Sequence, residues 1–81
     1  MNKQRRGALK KICDLLSYAA KALASVQSDE QMAYDNLPEN FQESERGDQM
    51  MDNIEVMDNV SSMIDEARDL LEDAIFELEY I

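Results

Sequence analysis

Apolar residues return at alternating intervals of three and four along almost the whole chain, a pattern that leaves little room for anything but helices. Leu9, Ile12, Leu16, Ala19, Leu23 and Val26 follow it, and after a polar step at Glu30 so do Ala33 and Leu37. Lys10, Asp14, Ser17, Lys21 and Ser25 fall on the opposite side, as an amphipathic helix requires. The pattern resumes with Ile54, Met57, Val60, Ile64, Ala67, Leu71, Ala74, Leu78 and Ile81. A weaker stripe of Val56, Met63, Leu70 and Phe76 runs beside it. The spacing predicts one helix over about residues 3–36 and a second over about 44–80, joined by a turn at about 37–43.

That turn holds the only proline, Pro38. A residue before proline is pushed out of the helical region, so Leu37 ends the first helix, and Pro38 with Glu39 suits the first turn of a short helical reversal. Phe41 is expected to fold over the open end of the bundle. Ser44 is the expected N-cap of the second helix, with Glu45 near the positive end of its dipole. Gly47 then falls in the first turn, where close approach of a neighbouring chain would explain it, a functional hinge being the alternative. The expected fold is all-α, a single domain over residues 1–81 in the form of a two-helix antiparallel hairpin.

A chain of 81 residues has a small core. Cys13 is the one cysteine and histidine is absent, so an internal disulfide and the usual zinc ligand sets are not available. The supplement that remains is oligomerisation. The second helix has an apolar face too wide for one partner helix, which points to two or more copies forming a four-helix bundle, with Ile54, Met57, Val60, Ile64, Leu71 and Leu78 as the oligomer core.

Eight basic against 18 acidic side chains give a net charge of −10, which argues against binding duplex nucleic acid directly. The distribution is uneven. Lys3, Arg5, Arg6, Lys10 and Lys11 lie within the first 13 residues, where there is no acid. From Glu39 onward there are fourteen acids against Arg46 and Arg68. The basic start and the Ala22–Ala24 segment superficially resemble a signal peptide, but Asp14, Ser17 and Lys21 interrupt the apolar run it would need. No segment approaches the roughly 20 apolar residues of a membrane span, so a cytoplasmic protein with a reduced thiol is expected.

The run "AYDNLPENFQESERGDQM", the acid-rich helix after it and the start "MNKQRR" with "ALKKI" resemble a group of small, mostly uncharacterised helical proteins carried by phages and mobile elements of Gram-positive bacteria. The resemblance covers nearly the whole chain, and its motif is structural. It implies a phage or mobile-element setting and no reaction. By analogy of class it implies an anti-defence role, inhibition of a host defence protein in an infected or element-carrying cell. Cys13, Tyr18 and the methionine-rich start of the second helix depart from the group's more regular pattern.

Asp65, Asp69, Asp73 and Glu77, four residues apart, line one side of a helix and could in principle hold Mg²⁺. The first helix offers only Asp14 toward such a site, so no metal, cofactor or catalytic residue is expected and an Mg²⁺-dependent nucleotide hydrolase ranks third among the functions. Cys13 is expected to pack as a small apolar residue, although Lys10 and Lys11 nearby could lower its pKa.

Two binding surfaces are left. The acidic face of the second helix, with Asp58, Asp65, Asp69, Glu72 and Asp73, either solubilises the chain or mimics a nucleic-acid backbone in the basic groove of a host protein. The basic arm, Arg5, Arg6, Lys10 and Lys11, is either neutralised by acids at the end of the second helix, including Asp69, Glu72, Asp73, Glu77 and Glu79, or binds a phosphate-bearing nucleotide. The leading expectation is a non-enzymatic inhibitor acting through the acids. A sponge for a nucleotide signal is the alternative.

Overall fold

In a computed structural model, residues 1–78 are described, and they form α1 (Lys3–Asp35), α2 (Glu39–Gln42) and α3 (Glu45–Leu78). The described residues are all-helical, with no strand. The expected reach of the last helix to residue 80, with Glu79 and the seam position Ile81, lies outside them.

Each boundary follows from side-chain chemistry. Asn2 is extended and its Oδ1 accepts the Arg5 N–H at 2.8 Å, satisfying a donor that the first turn of α1 leaves open. At the other end Asn36 N–H donates to Met32 O and Leu37 N–H to Tyr34 O, both at 3.0 Å, before Pro38 stops the helix. Pro38 caps α2, and its carbonyl accepts from Phe41 N at 2.8 Å and Gln42 N at 3.1 Å. Ser44 precedes α3; its Oγ accepts the Gly47 N–H at 3.4 Å, a capping bond to the third residue of the helix.

The molecule is a rod of 60 × 14 × 11 Å. The first turns of α1 lie beside the last turns of α3, where Lys10, Cys13, Glu72 and Ile75 border one groove. Farther along, Gln27 Nε2 donates to Ile54 O at 3.3 Å and Asn53 Nδ2 to Glu30 Oε2 at 3.4 Å. Near the turn Gln42 Nε2 donates to Tyr34 O at 3.1 Å. Phe41, expected to cover the open end, is instead 52% exposed.

The contact seam between α1 and α3 differs in phase from the expected one. On α1 the regularly spaced positions withdrawn from solvent are Leu9, Cys13, Leu16, Ala20, Leu23, Gln27, Glu30 and Tyr34, continued by Leu37 past its end and flanked by the half-buried Arg6, Ser17 and Gln31, whereas Ile12, Ala19, Val26 and Ala33 are exposed. On α3 they are Gly47, Met50, Ile54, Met57, Ser61, Ile64, Arg68, Leu71, Ile75 and Leu78, with the expected Ala74 half-buried as well, whereas Val60 and Ala67 are exposed. Every other seam position has moved one residue toward the C-terminus. The apolar face of each helix is two heptad seams wide, and Leu9, Leu16, Leu23, Met57, Ile64 and Leu71 belong to both. Cys13, Met50 and Ile75 are the only buried hydrophobic side chains among the described residues, so the core is thin.

Gly47 is buried, and a Cβ there would lie 2.1 Å from Gln42 O and 2.6 Å from Gln42 C. The close approach expected at this glycine is therefore made by the chain's own backbone, where α2 turns against α3. The φ of Gly47 is not positive, so space rather than conformation is what requires glycine.

Candidate functional site

The residues that follow the contact seam on each helix emerge together on one side of the rod. On α3 these are Glu55, Asp58, Asp65, Asp69 and Glu72, with Ser62 among them and the apolar Met51 and Phe76 at the two ends of the row, all exposed. Across from them on α1 stand Asp14, Ser17 and Lys21. Ser17 and Lys21 border one groove with Asp58, Asp65 and Arg68, and Asp14 borders the next with Lys10 and Glu72. Asp73 sits on the flank of this ridge, about 100° around the helix from Glu72. The acidic residues expected to act together thus fall as four in a row, Asp58, Asp65, Asp69 and Glu72, with Asp73 beside them.

Arg68 is the cation of the ridge. Its NH1 lies 3.4 Å from Asp65 Oδ1 and its NH2 3.2 Å from Asp69 Oδ1. The hydrogen bond to Asp69, with the charges of Asp69, Asp65 and Glu72, raises the Arg68 pKa against the opposing effect of desolvation. This arginine neutralises part of the central ridge, and a periodicity argument from apolar residues misses it because it occupies a seam position. Its side chain reaches out from the seam to the acids, as a long cationic stem allows.

Cys13 is buried at the end of the rod where the basic arm begins. Burial pushes its thiol pKa above the ordinary 9.0, Glu72 and Asp14 add to the rise, and Arg68 opposes it. The lysines that could have activated it do not prevail.

Within the basic arm, Lys3, Arg6, Gly7 and Lys10 border one shallow depression, and Lys3, Gln4, Gly7, Ala8 and Lys11 border its neighbour. Arg6 is half-buried, with NH1 donating to Met1 O at 3.2 Å. Arg5 borders neither depression. Three cations, Lys3, Arg6 and Lys10, are thus brought together, and Lys3, which joins Arg6 and Lys10, is one that the expectation left out.

No group of three or more histidine, cysteine, aspartate or glutamate side chains converges as metal ligands would, among the described residues. Asp65, Asp69 and Asp73 run along one helix rather than facing a common point. Of the expected oligomer core, Ile54, Met57, Ile64, Leu71 and Leu78 are half-buried, and Val60 is 39% exposed. No described helix is long and apolar enough to cross a membrane. No protein family matches the chain, and neither the curated proteins nor the solved structures offer a significant match.

Proposed function

We propose that the chain is a non-enzymatic interaction protein, an antiparallel helical hairpin whose copies pair into a four-helix bundle and whose acidic ridge docks in a basic groove of a host protein. In its most concrete form it is a phage or mobile-element inhibitor of a host defence protein, active in the cytoplasm. One observation carries the reading: Asp58, Asp65 and Glu72 are exposed, recur every seven residues and share a side with Asp69. At about 1.5 Å of rise per residue the three mark out steps of roughly 10 Å along a rigid rod. A row of carboxylates on an inflexible element is suited to a cationic groove, because it is ordered before binding.

The test is charge reversal. A host protein captured by the wild-type chain should associate at least about tenfold more slowly with the triple variant Asp58→Lys, Asp65→Lys, Glu72→Lys, and raised salt should slow the wild type in the same sense. The helical content should be unchanged, since exposed charges contribute little to stability. Binding indifferent to the reversal would remove the acidic ridge from the function.

A second reading has its own observation, the grouping of Lys3, Arg6 and Lys10 around Gly7, where no atom comes within 4 Å of an added Cβ. Three cations over an open backbone fit a phosphate group of a nucleotide. Replacing Arg6 and Lys10 with alanine would then abolish nucleotide binding, measured by calorimetry, while the acid reversals left it intact.

A further inference from the structure

Over the middle of the rod, between the polar Asp29, Asn53 and Glu77, the residues that precede the contact seam are apolar on both long helices. On α1 they are Ala8, Ile12, Leu15, Ala19, Ala22 and Val26, and on α3 Val56, Val60, Met63, Ala67, Leu70 and Ala74. Each set keeps intervals of three and four, so each helix carries a second complete heptad seam. In the single chain this second seam, apart from the half-buried Ala74, is open to solvent: Leu15 is 66% exposed, Met63 64% and Leu70 70%.

The two outer seams lie on one side of the molecule. When two neighbouring helices run in opposite directions, their senses of winding are opposed, so residues one step before the contact seam emerge on the same face of both. Val26 and Val56 accordingly border the same groove, while Ser17, Lys21, Asp58 and Asp65 border one on the polar side. The rod has an apolar face and, behind it, the acidic one.

The area available fits a second protein layer. The chain presents 6207 Å² of accessible surface, against about 5,000 Å² for a compact monomer of this mass. The excess of roughly 1,200 Å² per chain, counted on both partners, exceeds the about 1,200–2,000 Å² that a stable interface buries.

The occupant can be read from the seam's own symmetry. The hydrogen bond from Gln27 to Ile54 O sets the register of the two helices, and counting ten residues back along α1 and ten or eleven forward along α3 brings Ser17 level with Asp65; each is the midpoint of its seam. Reflecting the residue numbers about those midpoints places Ile12 over Ala22, Leu15 over Ala19, Val26 over Ala8, Met63 over Ala67 and Val56 over Ala74. A large side chain meets a small one in each of these five pairs, as interdigitating layers require, and the sixth pair sets Val60 over Leu70, two large side chains in contact. Beyond the apolar stretch the same reflection places Arg5 over Asp29. The opposite arrangement, with both turns at one end, would set the two basic arms side by side.

We propose that this outer face is a homodimer interface, seated by a second copy related by a two-fold axis across the rod, with α1 over α1, α3 over α3 and the turns at opposite ends. This gives the pairing in the functional reading above, on which it rests, a particular face and direction. It leaves both acidic ridges outward, so one dimer offers two of them.

The experiment uses the full chain. Analytical ultracentrifugation at about 50 µM should show a dimer, and the double variant Leu15→Glu, Leu70→Glu should raise the dissociation constant at least 100-fold, as loss of central anchors does. A nitroxide on Gln4→Cys, in a Cys13→Ala background, should lie about 40 Å from its mate, because each label stands about 13 residues from the axis at 1.5 Å per residue. A wild-type monomer would overturn both this interface and the bundle. A variant that still dimerises as tightly as the wild type would overturn this face alone. A label separation under about 20 Å would overturn the opposed arrangement. If the double variant also loses its helical signal, the label distance decides.

Discussion

Gly7 lies in α1 with nothing within 4 Å of where a Cβ would stand, whereas at Gly47 the same atom would lie 2.1 Å from the Gln42 carbonyl oxygen. Gly7→Ala should therefore stabilise the chain by about 1 kcal/mol, the usual preference of a helix for alanine, and raise the thermal midpoint by roughly 4–8 °C. Gly47→Ala should destabilise by at least about 1–3 kcal/mol, because backbone and not a flexible side chain would have to yield. Circular dichroism melts of the two variants check both, and equal shifts would contradict the close packing of α2 on α3. At Cys13 burial raises the thiol pKa above 9.0, so its neutral form is favoured in the folded state. The resulting stability is present below pH 9.0 and is lost as pH climbs through the raised value. The expected outcome is slow reaction with a disulfide reagent at about pH 8, becoming fast in denaturant. From sequence the charge around this thiol was open, since Lys10 and Glu72 could only be weighed once both were placed beside it.

At the scale of the helices, the all-α class was legible because the three-four spacing persists through both halves of the chain and only Pro38 interrupts it. The phase of the seam was not. Choosing the most apolar residue at each step selects Val26, Val60 and Ala67, whereas α1 and α3 meet through Gln27, Ser61 and Arg68. Gln27 holds its place with a hydrogen bond to Ile54 O, Arg68 reaches the ridge acids, and the Ser61 hydroxyl is buried with no hydrogen-bond partner among the described residues. Positions common to both phases are insensitive to this choice, and Ile64 and Leu71 are two of them. Replacing either with aspartate should abolish the helical signal at 25 °C, because withdrawing an unpaired carboxylate from water costs several kcal/mol in a domain with little to spare. Persistence of the signal would mean that the contact seam contributes little to folding.

Across the whole molecule, a net charge of −10 is spread over a rod 60 Å long. Arg68 pairs with Asp65 and Asp69 on one helix, but 18 acidic side chains stand against eight basic ones along the rod, so repulsion between carboxylates should outweigh attraction. Raising the salt concentration from about 20 to 500 mM should then raise the thermal midpoint, as screening shortens the reach of that repulsion to a few ångströms. A falling midpoint would show that attractive pairs dominate. Residue spacing was sufficient to establish helices, the break at Pro38 and the separation of a basic start from an acidic remainder, because each of these depends on neighbours within a few positions along the chain. Which of two overlapping seams faces inward, which acids stand in one row, and why Gly47 must lack a side chain depend on where distant segments lie. Packing selects among locally equivalent faces, and that selection brings together residues some sixty positions apart, such as Cys13 and Ile75, which border one groove.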